Sequence, residues 1–161
     1  MQLKSGVDYQ AYIVTSLGTI NIDLFEKETP IAVNNFVFLA KDGFYTGLKF
    51  QRVIKGQVIQ GGDPNGNSTG GPGYKFNDEI LSTIKFAPYV VAYANSGANS
   101  NGSQFFITTK SNTSSNLDGK YTIFGRVVNG FDIVDKIENV PVNVDKPLTD
   151  VVIQSVNIVE K

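Results

Sequence analysis

The sequence predicts a mainly β fold, a closed eight-stranded antiparallel β-barrel capped by two α-helices. It is expected as a single domain over residues 1–161. Three observations lead there. Short apolar stretches of strand character recur along the chain with short turns between them. Only two segments carry helical periodicity. No internal repeat or long linker interrupts the 161 residues, of which 41% are hydrophobic and 18% charged, enough apolar material for one sizeable core.

The first two strands are expected at Tyr12–Thr15 and Thr19–Phe25. Ile20, Ile22 and Leu24 alternate with polar residues, the two-residue period of a half-buried strand. Ser16-Leu17-Gly18 between them reads as a hairpin connection. Thr29-Pro30 then opens a helix, with Thr29 as N-cap and proline in its first turn. Val33, Phe36, Val37 and Ala40 form one apolar stripe, and Asp42-Gly43 ends it. Further strands are expected at 49–54, 58–61, 89–94, 105–109, 122–128 and 151–159. A second helix falls around Phe131–Glu138, where Phe131, Val134 and Ile137 share a face. The glycine-rich run 64–73 lacks the Lys-Ser/Thr pair and following helix of a phosphate-binding loop. Its glycines read as positive-φ positions in an exposed loop.

Absences narrow the chemistry. The chain has no cysteine and no histidine. Disulfides, thiol nucleophiles, Cys/His zinc sites and imidazole relays are excluded. The carboxylates are scattered without the spacing of a calcium loop, so no metal site and no cofactor are expected. A net charge of −1 predicts neither nucleic-acid nor membrane-surface binding. No apolar run reaches the roughly 20 residues of a bilayer span. The first six residues lack an apolar signal core. A cytoplasmic location is therefore expected, the alternative being an extracytoplasmic one after removal of a leader. Without a coiled-coil pattern or a large exposed apolar run, a monomer is expected.

One segment stands out. Residues 92–107 run from Ala92-Tyr93-Ala94-Asn95 through small polar residues into Gln104-Phe105-Phe106-Ile107. Amides, bare backbone and a large ring beside one another suit the gripping of an extended peptide. Phe50-Gln51-Arg52-Val53-Ile54 and Gln60-Gly61-Gly62-Asp63 precede it. With Val33-Asn34-Asn35-Phe36, Thr69-Gly70-Gly71, Leu117-Asp118-Gly119-Lys120 and Phe124-Gly125, these segments resemble the cyclophilins, peptidyl-prolyl cis-trans isomerases, over nearly the whole chain. The resemblance is strongest to compact single-domain members of bacterial type. It implies an eight-stranded barrel with two helical caps, in agreement with the periodicity.

It also implies a reaction suited to a chain without histidine. Rotation about an X-Pro amide breaks no covalent bond and faces a barrier of roughly 18–20 kcal/mol. A fixed cation donating to the prolyl nitrogen stabilises the twisted amide more than the planar one. The resemblance gives this role to Arg52, with Gln60 and Phe106 completing the catalytic set. Gln60 and Gln104 would orient the substrate carbonyl and the arginine. Ala94 and Asn95 would pair with substrate backbone. Phe106 and Leu117 would form the floor under the proline ring, with Gln57, Val58, Thr69, Asn116 and Tyr121 completing the binding surface. Phe105 and Phe106 must face opposite sides of their strand. Each assignment has a plainer competitor: Arg52 pairing with a surface carboxylate, the glutamines satisfying strand ends, Phe106 filling a core.

Five positions depart from the family pattern. Gln57 stands where an aromatic is usual and Val58 where methionine is common. Gln51 and Tyr121 replace frequent histidines, and Asn116 replaces a tryptophan. Loss of an aromatic wall at Gln57 removes on the order of 1–3 kcal/mol of apolar contact. The expectation is an isomerase of reduced efficiency acting on proline-containing peptides and unfolded proteins, with weak cyclosporin binding. A proline-peptide binding module without catalysis and a structural β-domain are the competing readings.

Overall fold

The computed structural model describes residues 1–112 and 115–161. In chain order the elements are β1 (Tyr9–Thr15), β2 (Gly18–Leu24), α1 (Pro30–Lys41), β3 (Arg52–Ile54), β4 (Val58–Gly61), β5 (Val90–Tyr93), β6 (Phe105–Thr108), β7 (Ile123–Asn129), α2 (Phe131–Glu138), β8 (Val142–Asn143), β9 (Lys146–Pro147) and β10 (Ile153–Glu160). Eight strands form one antiparallel sheet in the order β10-β1-β2-β7-β5-β6-β4-β3. The sheet curls until its edges meet. Phe50 N donates to Val151 O at 3.0 Å and Ile153 N to Leu48 O at 2.7 Å, while Lys49 bridges Val152. This seam uses the residues just before β3, so the strand expected at 49–54 is shortened to three residues.

Alternation builds the core. In β1 the buried residues are Tyr9, Ala11, Ile13 and Thr15; in β2 they are Ile20, Ile22 and Leu24. The strand expected from Tyr12 therefore starts earlier, because Tyr9 and Ala11 pair with Glu160 and Ile158 of β10. β1 and β2 join through a two-residue turn, Thr15 facing Gly18. Helix α1 packs against β10 and buries Val33, Phe36, Val37 and Ala40. The Phe36 ring lies 5.2 Å from Tyr45, 5.7 Å from Phe105 and 5.2 Å from Phe124, so one aromatic cluster joins helix to strands.

Two helix details differ from expectation. Thr29 makes no side-chain cap bond; its hydroxyl donates back to Phe25 O at 3.2 Å. The Glu79 carboxylate caps α1 instead, accepting from Ile31 N at 3.2 Å and Ala32 N at 2.8 Å. A distant anion thus satisfies the free amides and suits the positive end of the helix dipole. At the other end Gly43 adopts φ +75°. Its N–H donates to Ala40 O and the Phe44 N–H to Leu39 O, the paired bonds of a left-handed helix stop. In α2, Val134 and Ile137 are buried but Phe131 is 41% exposed. Ile133 packs on the core in its place, and Phe131 lies edge-on to Tyr89 at 4.9 Å. The two-residue strands β8 and β9 pair in a small ribbon, which the sequence pattern did not predict.

The glycine-rich loop after β4 is a built structure. Asp63 is buried, and its carboxylate accepts four backbone N–H groups: Asn65 at 3.0 Å, Asn67 at 2.8 Å, Ser68 at 2.6 Å and Gly70 at 2.8 Å. Gly62 makes the entry, at φ +85°, where an added Cβ would lie 2.7 Å from Ser103 O. A Gly62→Ala chain combines a left-handed alanine with a backbone clash and is expected to lose about 2–4 kcal/mol of stability in urea unfolding. Asp63→Ala orphans four donors, and a loss of about 2–4 kcal/mol is expected. Hydrogen exchange would locate the second effect, with protection falling at residues 65, 67, 68 and 70 and holding in β1 and β2.

Candidate functional site

Register places the chemistry. Arg52 of β3 lies opposite Gln60 of β4. Gln60 lies opposite Phe106 of β6, and Phe106 opposite Ala92 of β5. Residues directly paired across strands share a face, so Arg52, Gln60 and Phe106 form a row on one side of the sheet. Their neighbours Val53, Ile59, Phe105 and Ile107 turn the other way and enter the barrel core. Phe105 and Phe106 do face opposite sides. Phe106 belongs to a second apolar cluster, with Val90, Ala92 and Ile123 at its centre and Val58, Phe86, Ala94, Leu117 and Tyr121 packed around it.

That outer face borders a cleft of about 870 Å³. All twelve residues singled out in the sequence line it: Arg52, Gln57, Val58, Gln60, Thr69, Ala94, Asn95, Gln104, Phe106, Asn116, Leu117 and Tyr121. The floor is aromatic. The Phe106 ring stacks on Phe86 at 5.9 Å with planes 10° apart, and meets Tyr121 nearly perpendicular at 5.4 Å. Asp118 steadies this arrangement by accepting from Phe86 N at 2.7 Å. Gln57 and Asn116 are both exposed at the rim.

One wall is a directed chain of hydrogen bonds. Arg52 can only donate, so it faces Gln60 Oε1, with Nη1 at 3.4 Å. Gln60 must then present its NH2 outward, and Nε2 donates to Gln104 Oε1 at 3.0 Å. Gln104 in turn donates from Nε2 to Gly70 O at 2.8 Å. Gln51 adds a second donor to Gln104 Oε1 at 3.1 Å. The cation thus sets the orientation of each amide, and the chain ends on the loop that Asp63 organises. Both plainer readings are present in this wall. Arg52 does pair with a carboxylate, Nε lying 3.2 Å from Asp145 Oδ2, and Gln104 does satisfy a loop carbonyl. Of the five guanidinium N–H groups, one goes to Asp145 and one to Gln60. Among the described residues no acceptor takes the others.

The opposite wall is exposed backbone. Ala94 N donates to Gln104 O at 3.0 Å, continuing the ladder beyond β5. The Asn95 side chain is held by the Lys120 carbonyl at 3.0 Å. Its backbone N–H and C=O have no protein partner among the described residues. Behind this segment Tyr93 ties it to α1, donating to Ala32 O at 3.2 Å and accepting from Asn35 Nδ2 at 3.0 Å. Burial pushes the Tyr93 phenol well up, so it stays a donor. Asn35 also accepts from the Tyr74 hydroxyl and donates to Gly102 O.

Sequence reasoning missed four contributors. Asp63 and Asp118 lay inside the quoted motifs but were given no role. Asp145 and Phe86 carried no local signal, since each acts through a contact far along the chain. Among the described residues no group of three or more carboxylates comes together as a metal site would require.

The match to known proteins agrees with this geometry. The family described as "Cyclophilin type peptidyl-prolyl cis-trans isomerase/CLD" matches residues 11–158. Peptidyl-prolyl cis-trans isomerase B of Streptomyces anulatus is 46% identical, covering 91% of this chain and 94% of that protein. The mouse peptidylprolyl isomerase domain and WD repeat-containing protein 1 is 45% identical over 94% of this chain, which spans only 24% of that relative's length. The crystal structure of a Cryptosporidium parvum cyclophilin-type isomerase in the presence of the dipeptide Ala-Pro superposes with a TM-score of 0.87 at 36% identity, covering 91% of this chain and 96% of that one. With the family matched over residues 11–158 and a relative 46% identical along nearly its whole length, this chain belongs to the cyclophilin-type peptidyl-prolyl cis-trans isomerase family.

Proposed function

We propose that this chain accelerates cis-trans isomerisation of X-Pro bonds in peptides and unfolded proteins, and that Arg52 donates to the prolyl nitrogen in the twisted state. The observation that carries the reading is the row Arg52, Gln60, Phe106, which sets a cation beside an apolar floor. The proline ring rests against Phe106 and Leu117. The flanking peptide runs extended along Asn95, whose backbone N–H and C=O offer strand-like pairing. The NH2 groups of Gln60 and Gln104 each keep one N–H beyond their protein bonds, directed at the carbonyl preceding proline.

Catalysis follows from differential binding. In the planar amide the nitrogen lone pair is delocalised and makes a poor acceptor. Twisting localises it, and an N–H of Arg52 then gains a charge-assisted hydrogen bond that the ground state lacks. A guanidinium keeps its proton at any working pH. No proton changes hands, so the reaction needs neither histidine nor cofactor.

NMR exchange spectroscopy on an Ala-Pro peptide tests this. The wild-type chain should broaden the cis and trans signals at catalytic concentrations. Arg52→Ala should lower kcat/KM about 10²–10³-fold, the usual loss when a transition-state donor is removed, while peptide affinity changes by less than about fivefold. A wild-type chain that binds the peptide without exchange broadening would instead identify a binding module.

The departures at the rim have their own consequence. Gln57→Phe restores an aromatic wall, and about 1 kcal/mol of added contact should tighten proline-peptide binding about fivefold in an NMR titration. Cyclosporin should bind weakly, and Asn116→Trp should strengthen its binding by calorimetry while leaving thermal stability unchanged, since residue 116 is exposed.

A further inference from the structure

We propose that Asp145 is a positioning residue for Arg52, holding its guanidinium so that the remaining N–H groups face the cleft. The inference rests on Arg52 being the donor and adds a residue that lies outside the cleft itself. Among the described residues six ion pairs are formed, and Arg52–Asp145 is the one that includes a cleft-lining side chain.

Asp145 sits in the turn between β8 and β9, and two contacts fasten it to β3. Its carbonyl accepts from Val53 N at 2.7 Å. Its carboxylate accepts from Arg52 Nε at 3.2 Å. The turn is built at a cost. Val144, just before Asp145, adopts φ +63°, a conformation that a β-branched residue strongly disfavours. Val144 is 93% exposed and is the first residue of the two-residue hairpin loop between the paired Asn143 and Lys146, a position where such turns need positive φ. That turn delivers residue 145 to the edge of β3, where it bonds Val53.

The geometry of the guanidinium gives this contact its consequence. A planar, rigid guanidinium held on two different edges keeps one orientation. Gln60 supplies one hold, through a long bond of 3.4 Å at Nη1. Asp145 supplies the other at Nε, on the edge away from Nη1. The carboxylate only accepts, so it leaves every N–H it does not bind free to point elsewhere. Both side chains are about two-fifths exposed, at 41% and 42%, so the pair contributes little to global stability. Its loss should therefore appear in the rate.

Asp145→Ala, Asp145→Asn, Arg52→Ala and Arg52→Lys chains test this, with exchange rate and peptide affinity measured by NMR and unfolding followed by circular dichroism. Asp145→Ala should lower kcat about tenfold, the scale of loss from a loosened reacting group, with peptide affinity within about twofold of wild type. Tm should move by less than about 2 °C, as for an exposed pair. Asp145→Asn retains an acceptor for Nε and should recover to within about threefold of wild-type kcat. In the Arg52→Lys background, which has no Nε, Asp145→Ala should change the rate by less than about twofold.

A full-rate Asp145→Ala, an Asp145→Asn no better than alanine, or an equal loss in the lysine background each overturns the inference. If Arg52→Ala is inactive while Asp145→Ala is fully active, this inference alone falls. A full-rate Arg52→Ala brings down the donor reading and this one together.

Discussion

The register between β3, β4 and β6 is the constraint on which the site depends. Arg52, Gln60 and Phe106 come from three separate strands, and only their direct opposition puts them in one row. A slip of one residue between β4 and β6 would turn Phe106 into the barrel and Phe105 out of it. The core forbids that slip. Phe105 makes near-perpendicular contacts with Phe36, Tyr45 and Phe50 at 5.6–5.9 Å. The inner face therefore protects the outer one: packing inside the barrel determines which residues line the cleft. The cleft also costs the core little, because the site lies on the outside of a barrel already filled by its other face.

Direction in the polar wall comes from the cation. Glutamine can turn its amide either way, and two glutamines in a row could settle in several arrangements. Arginine has no acceptor, so its presence at one end dictates that Gln60 accepts there and donates onward, and that Gln104 does the same. The far end is equally determined, since Gly70 offers a carbonyl and its own N–H is already committed to Asp63. A set of uncharged amides thereby becomes a single polarised array. Such an array can present N–H groups to a carbonyl without carrying a charge that would trap the peptide.

Much of this was legible in the sequence, for reasons that particular residues make plain. Strand β4 and helix α2 fall at their expected limits because alternation and helical periodicity are local properties of the chain. Eight of the twelve site positions, Arg52, Gln60, Thr69, Ala94, Asn95, Gln104, Phe106 and Leu117, lie in contiguous motifs, and Gln57, Val58, Asn116 and Tyr121 lie beside them in the chain, so all twelve line one cleft. What escaped were contacts that close over a long separation outside those motifs or without a side-chain role inside them. Glu79 caps α1 in place of Thr29, Asp118 holds Phe86, and Asp145 meets Arg52 from 93 residues away. An isolated aspartate in a polar loop has the same local appearance whether it is solvated or accepts several N–H groups. The β8–β9 ribbon escaped for the same reason, since two-residue strands have no period to detect.

Asp63 and Asp145 bear the same relation to opposite ends of the site. Each lies in a connection and spends its carboxylate on a neighbour. Asp63 gathers four amides into the loop on which Gln104 ends. Asp145 takes the Nε edge of the guanidinium at which the array begins. A reaction that depends on a hydrogen bond formed only in a twisted state gains nothing from groups free to follow the substrate through its rotation. It gains from groups that stay where the twisted geometry requires them, so the donor must be held from behind by something the substrate does not touch. The guanidinium and the uncharged amides line the cleft and anions stand behind them, an arrangement that separates holding from binding.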